Sequence, residues 1–187
     1  MGKLIVTEFI SLDGVVEDPG GSEDYKHGAW TFEFERGPEG NQFKVDETFA
    51  ADALLLGRRT YEGFAEAWPS RDGEFADKFN SMPKYVVSST LQDPEWSNST
   101  VVSGDLAHVV AEIKQRHSGD VYVHGSVQLV QGLLEQGLVD QLNLMVFPVV
   151  LGAGRRLWGE LSDKATLRLT ESRTVGDGVQ IQIYEPA

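Results

Sequence analysis

The stretch "ALLLGRRTYEGF", residues 53–64, packs a strand end and a helix start into twelve residues. Three leucines after an alanine suit a buried strand, Gly57 closes it, and Arg58-Arg59-Thr60 open a helical pattern without a linker. A helix N-terminus presents unpaired backbone N–H groups and the positive end of the helix dipole, which favour an anion. The chain as a whole carries a net charge of −13, so two adjacent arginines at such a place point to a phosphate. They could equally pair with nearby Asp and Glu, and spacing alone leaves both readings open.

Two further segments repeat the arrangement. "KYVVSST" (84–90) is a strand that leaves Ser88 and Ser89 as hydroxyl groups beyond its end. "DVYVHGSVQLVQGLLEQG" (120–137) is a strand followed by a helix, with Gly125, Ser126 and Val127 at the junction. Strand ends of this kind on one carboxyl edge form the usual ligand crevice of an open α/β sheet.

The remaining elements follow the same logic. "KLIVTEFISL" (3–12) is a strand stopped by Asp13-Gly14, and residues 17–40 form a long acidic, aromatic loop of functional or lid-like character. Phe43, Val45, Phe49, Ala50 and Ala53 suit an amphipathic helix. "RRTYEGFAEAW" is a helix closed by Pro69, and "STVVS" (99–103) is a short strand. Asp105 is placed to cap the helix "LAHVVAEIKQRH". "DQLNLMVFPVV" (140–150) is a strand, and "ATLRLTESRTV" and "GVQIQIYE" alternate with a period of two around Gly176-Asp177-Gly178, as an antiparallel pair does. The expected fold class is α/β: a mostly parallel central sheet with an antiparallel C-terminal edge and helices on both faces.

One segment mimics a nucleotide loop. "FPVVLGAGRRLW" (147–158) feeds an apolar run into Gly152-Ala153-Gly154, but no helix follows and Leu157 stands where the third glycine of a dinucleotide fingerprint belongs. It reads as a tight turn.

Composition sets the outer limits. With 187 residues, 41% of them apolar, and no cysteine, the chain suits one domain spanning 1–187 with no disulfide or thiol chemistry, and a cytoplasmic setting. The start "MGKLIVTEFISLDG" reads as a strand and not a signal peptide. The acidic balance argues against a nucleic-acid or anionic-membrane surface.

Taken together, "GRRTYEGF", "VVSST", "HGSVQLVQGLLEQGLVDQLNLMVFPVVLGAGRRLW" and the opening "FISLDGVV" resemble the dihydrofolate-reductase-like fold. The closer resemblance is to the reductase (C-terminal) domain of the bifunctional riboflavin-biosynthesis deaminase-reductase and its stand-alone relatives, over nearly the whole chain. The resemblance implies a reductase that binds NADPH across the carboxyl edge of the sheet, and a homodimer. It assigns Gly57, Arg58, Arg59 and Thr60 to the cofactor phosphates, with an arginine reading the 2′-phosphate. Ser88 and Ser89 fall beside the adenosine phosphate, and Gly125, Ser126 and Val127 beside the pyrophosphate. Phe9, Ser11 and Val16 line the nicotinamide pocket, with His124 at the strand end next to it. The deaminase partner is absent, because its zinc motif requires cysteine.

Departures from the pattern bear on the substrate. The riboflavin enzymes usually read Glu-Gly-Gly where this chain has His124-Gly125-Ser126, so the ribosylaminopyrimidine substrate does not transfer automatically. Folate reductases place an acid in the helix before G-R-x-T; Glu39, Asp46 and Glu47 lie in that region without matching it. Glu8, among apolar strand residues, and Asp13, before a turn glycine, complete the catalytic candidates with Glu39, although a paired strand carboxylate and a turn cap are their plainer readings. His108 and His117 are nine apart, on opposite sides of a helix, so no metal site is expected. Trp30, Phe32 and Phe34 could cover a flat heterocycle or pack onto the core. The expected activity is NADPH-dependent hydride transfer to a small, heterocyclic acceptor. The rival readings are a regulatory protein that keeps the cofactor groove without catalysis, and a hydrolase built on Ser126.

Overall fold

The computed structural model describes residues 2–187 and is built on one eight-stranded sheet, in the order β4-β3-β2-β5-β1-β6-β8-β7. The strands are β1 (Leu4–Ser11), β2 (Ala51–Gly57), β3 (Lys84–Val87), β4 (Ser99–Val102), β5 (Asp120–His124), β6 (Gln141–Phe147), β7 (Leu167–Val175) and β8 (Val179–Pro186). The pairings among β1 to β6 are all parallel. The C-terminal hairpin adds β8 antiparallel to β6, and β7 antiparallel to β8. The architecture is the mostly parallel sheet with an antiparallel edge that the residue pattern predicts.

Among the described residues, five α-helices cover the sheet: α1 (Gly37–Ala50), α2 (Arg58–Ala67), α3 (Glu74–Ser81), α4 (Leu106–Arg116) and α5 (Val127–Glu135). Strand alternation sorts the core into two faces. Leu4, Val6 and Ile10 of β1 pack with Val109, Val110 and Ile113 of α4 and Leu129, Val130 and Leu133 of α5. On the other face, Leu54 and Leu56 of β2 meet Tyr61 of α2 and Phe79 of α3. Phe43 of α1 and Trp30 cover Phe147 and Ile181 beyond them. Asp105 caps α4 as expected, its Oδ1 accepting from the His108 N–H at 3.0 Å.

Several boundaries differ from the residue pattern. Ala53 belongs to β2, not to α1, whose buried residues are Gly40, Phe43, Glu47 and Thr48, while Phe49 is exposed. Helix α3 has no counterpart among the expected elements, since in eight residues its buried Ala76 and Phe79 supply only a single i, i+3 pair. β6 stops at Phe147, before Pro148, which has no N–H for the ladder. The expected lid is a docked segment: Trp30 is fully buried, donates its ring N–H to the Glu17 carbonyl at 2.8 Å and meets the Phe147 ring edge-on at 5.4 Å. Its last residues, 37–40, open α1. Among the described residues, no helix is long and apolar enough to cross a membrane.

Candidate functional site

A cleft of about 2010 Å³ runs along the carboxyl edge of the parallel strands. Gly57, Arg58, Arg59, Thr60, Ser88, Ser89, Gly125, Ser126 and Val127 all line it, as do Glu8, Phe9, Val16 and His124. Three segments far apart in the chain therefore meet on one wall.

The junctions after β2 and β5 are fastened to each other. Gly125 (φ 53°) and Ser126 (φ 57°) are consecutive left-handed residues, a conformation costly for serine and easy for glycine. The bend aims the Ser126 N–H at Thr60 Oγ1 (2.8 Å), while Ser126 Oγ accepts from the Gly57 N–H (2.9 Å) and donates to the His124 carbonyl (2.9 Å). A Cβ on Gly125 would stand 3.0 Å from Thr60 Oγ1. Two of the backbone N–H groups expected to face phosphate, those of Gly57 and Ser126, are thus spent inside the protein. The first-turn N–H groups of α2 and α5 remain for a ligand. The Ser126 proton is likewise committed to a carbonyl, which removes the basis for a serine hydrolase. Ser88 Oγ accepts from the N–H groups of Thr90 and Leu91, so it shapes the turn after β3 and keeps its own proton for the cleft.

The arginines at the head of α2 are ion-paired but accessible. Arg58 lies 3.3 Å from Glu62, one turn on, and Arg59 lies 3.6 Å from Glu23 of the acidic segment. Both readings of these residues therefore hold at once: they have carboxylate partners, and these exposed pairs hold them only weakly. Arg155 and Arg156 also line the cleft, and Arg155 pairs with Glu17 and with the same Glu23. The Gly152-Ala153-Gly154 segment is a turn with Gly152 and Gly154 at positive φ, and the arginines after it reach the cleft.

The expected catalytic and nicotinamide residues are distributed unevenly. Ser11 and Asp13 lie outside the cleft lining. Asp13 accepts from Ser11 Oγ (2.7 Å) and from the N–H groups of Leu151 (3.1 Å) and Gly152 (2.8 Å), bonds that hold its pKa down to about 2. It clamps the 151–152 turn onto the end of β1. Glu39 is exposed in the first turn of α1, also outside the lining. Glu8 is 5% exposed, lines the cleft, and has a buried Oε1 with no hydrogen-bond partner. Burial pushes its pKa well up, against an opposing pull from Lys44. His124 points into a ring cluster, 5.7 Å from Phe79 and 6.4 Å from Phe64 and Tyr122. Burial, with Lys44 adding to it, pulls its pKa down to about 3, so the imidazole is neutral. Phe32 and Phe34 line the cleft, whereas Trp30 belongs to the core.

Lys44 and Arg36 are functional candidates that the residue pattern did not single out. Both line the cleft and flank the Phe9 ring, at 5.0 and 5.3 Å from its centre. Lys44 pairs with Glu47 at 2.6 Å and donates to Thr7 Oγ1 at 2.8 Å; Glu47 in turn accepts from Thr7 and Asn143. Glu47 is a saturated anchor for Lys44 and not a free acid. The i, i+3 spacing of Lys44 and Glu47 on one helix was the available signal. His108 pairs with Glu112 and His117 bonds the Tyr85 hydroxyl, so the two histidines serve separate places.

Residues 2–181 match the sequence profile of the RibD C-terminal domain. The chain belongs to the RibD C-terminal domain family. Among relatives of this RibD-type chain, the uncharacterized protein YwjB of Bacillus subtilis (strain 168) is 27% identical over 179 residues, covering 96% of this chain and 95% of YwjB. YyaP of the same organism is 24% identical over 187 residues, covering 97% and 94%. Among solved structures, a putative riboflavin biosynthesis protein from Shewanella sp. PV-4 matches with a TM-score of 0.82 at 24% identity, covering 99% of each chain. The deaminase/5-amino-6-(5-phosphoribosylamino)uracil reductase of Thermotoga maritima matches with a TM-score of 0.69 at 14% identity, covering all of this chain and 57% of that one. These likenesses establish the RibD-type, dihydrofolate-reductase-like fold.

Proposed function

We propose that this protein is an NADPH-dependent reductase acting on a small, heterocyclic substrate. The observation that carries the reading is that Arg58-Arg59, Ser88-Ser89 and the α5 N-terminus line one cleft together with Arg155 and Arg156. In a chain with a net charge of −13, this concentration of arginines suits a ligand with several phosphates. The Thermotoga maritima relative, named as a phosphoribosylaminouracil reductase, supports the same chemistry.

The residues present fit such a cofactor. Arg58 and Arg59 would bind the 2′-phosphate, Ser88 and Ser89 the adenosine side, and the first-turn N–H groups of α5 the pyrophosphate. When bound, NADPH supplies a hydride from its nicotinamide ring. The chain's part is to hold the acceptor against Phe9 and Val16, and to keep water out with Phe32 and Phe34. Lys44 and Arg36, beside the Phe9 ring, would attract the electron-rich edge of the substrate. His124 does not replace the missing strand-end glutamate electrostatically, since it is neutral, so a substrate other than the ribosylaminopyrimidine is favoured. The same neutrality favours the second reading, a regulatory protein that binds NADP(H) without turning it over. A homodimer and a small-molecule partner complete the proposal.

The test is titration of the protein with NADPH by tryptophan fluorescence, followed by NADPH oxidation with pterins, pyrimidines and quinones. Binding with turnover supports the reductase. Binding without turnover of any acceptor supports the regulatory reading, and no binding rejects both.

A further inference from the structure

Glu8 is a buried group that the phosphate-binding wall does not use. It sits on β1 in the middle of the sheet, opposite Leu144 of β6, one residue after Thr7, which pairs with His124 of β5. Its neighbours at i±2, Val6 and Ile10, face the apolar cluster that holds Val16 and Leu129, and those two residues share the cleft lining with Glu8. A carboxyl group in such a place would ordinarily be bonded to a donor, because an unpaired buried polar atom forfeits its hydration without replacement. Here Oε1 has none, and Glu8 makes no ion pair within 4.0 Å among the described residues. Lys44 of α1, Arg36 before it, and Arg155 and Arg156 after β6 share the cleft lining with Glu8, as do the carboxylates of Asp18 and Glu35. Of these Lys44 supplies the pull that opposes burial of Glu8, and it does not outweigh it. His124, on β5, is neutral.

Resting on the reductase reading, we propose that Glu8 is a neutral carboxylic acid at rest and the proton donor for the reduced substrate. The substrate class this implies is an unsaturated C=N or C=O compound whose nitrogen or oxygen comes within reach of the Glu8 carboxyl. As the dihydronicotinamide gives its hydride to carbon, the Glu8 O–H bond breaks and an N–H or O–H bond forms on the substrate. Glu8 is left as a carboxylate, which Lys44 stabilises until water in the cleft returns the proton. A buried acid on a strand is suited to this role, because burial favours its protonated form and its backbone is held in the ladder opposite Leu144 of β6.

The experiment is carbon-13 NMR of protein labelled at the glutamate side-chain carboxyl, titrated with and without saturating NADP⁺. Glu8→Gln identifies the resonance, and Glu8→Leu does so if the first variant fails to fold. The expected result is one glutamate that titrates well above the ordinary carboxylate range and shifts when NADP⁺ binds. With any acceptor that the wild type reduces, Glu8→Gln should bind NADPH within about twofold of wild type and lose about 100- to 10,000-fold in kcat, with Glu8→Asp recovering part. An ordinary Glu8 titration alongside tight NADPH binding overturns this proposal and leaves the reductase reading standing. So does a neutral Glu8 whose resonance ignores NADP⁺. Failure of NADP⁺ and NADPH to bind, with Glu8 still neutral, overturns the reductase reading, and the proton-transfer step with it.

Discussion

The Glu23 carboxylate stands 3.6 Å from the Arg59 guanidinium, and it also pairs with Arg155. One carboxylate thus bridges two cations that would otherwise face a ligand together. A phosphate entering here would take the place of Glu23. Removing the bridge by Glu23→Gln should therefore tighten NADPH binding. Exposed pairs contribute about 0.2–1 kcal/mol each, so the expected gain is about 1.4- to 5-fold in Kd. Fluorescence titration reads it, and weaker binding would mean that Glu23 orders the site instead of competing for it.

The arginines at the start of α2 should decide cofactor choice. A charge-assisted bond to phosphate contributes about 1.5–3 kcal/mol, equivalent to about 10- to 150-fold in Kd. Arg58→Ala or Arg59→Ala should weaken NADPH by that factor and leave NADH nearly unchanged, with Arg58 the first choice. Both side chains are more than half exposed, at 52% and 64%, so added salt should narrow the preference. Equal losses for the two cofactors would make the arginines structural.

His124→Glu, which by resemblance would restore the riboflavin-type strand end, should instead destabilise the protein. The new carboxylate would sit in the ring cluster of Phe64, Phe79 and Tyr122. An unpaired charge at this partly buried place is among the costly substitutions, and a loss of about 1–3 kcal/mol is expected. Urea unfolding measures it. An unchanged midpoint would show that the glutamate escapes into the cleft and that specificity can be engineered there.

His124 and Glu8 should give stability opposite slopes with pH. His124 is held near pKa about 3 against an ordinary 6.5. As pH falls through that window the unfolded chain gains a proton that the fold refuses, and stability drops by about 1.4 kcal/mol per unit. Glu8 is held above its ordinary 4.5. As pH rises from there the unfolded chain releases a proton that the fold keeps, and stability drops in the other direction. Between these ordinary values the two effects oppose. In that window His124→Gln should lose stability as pH rises, and Glu8→Gln should gain it. Identical slopes in both variants and the wild type would refute the assignment.

Lys84 should be indispensable to folding. It is fully buried, stays an ammonium at neutral pH although burial pulls its pKa to about 8, and donates to the carbonyls of Asn80, Met82 and Ser97 at 2.7, 2.7 and 2.9 Å. It also lies 4.2 Å from the centre of the Trp96 ring. Lys84→Met strands three carbonyls, for an expected loss of about 3–5 kcal/mol. A thermal midpoint within a few degrees of wild type would refute it.

The sequence by itself determined the parallel sheet, its antiparallel edge and the strand-to-helix junctions at Gly57 and Gly125, because these rest on local signals: apolar runs, alternation and the glycines that end them. It also separated the 152–154 turn from a nucleotide loop, since no helix follows it. Only the tertiary structure decided how those junctions are used. Sequence order could not show that Ser126 spends its N–H on Thr60 and its hydroxyl on Gly57 and His124, because those partners are two residues away in one case and more than sixty in the others. Nor could it separate Asp13, saturated by a turn, from Glu8, buried and unpaired, when both are acids within the same fourteen residues. Whether a carboxyl is ionised depends on the donors and the water around it, and packing alone arranges those. The same holds for Lys44 and Arg36, which reach Phe9 only because α1 lies across the sheet.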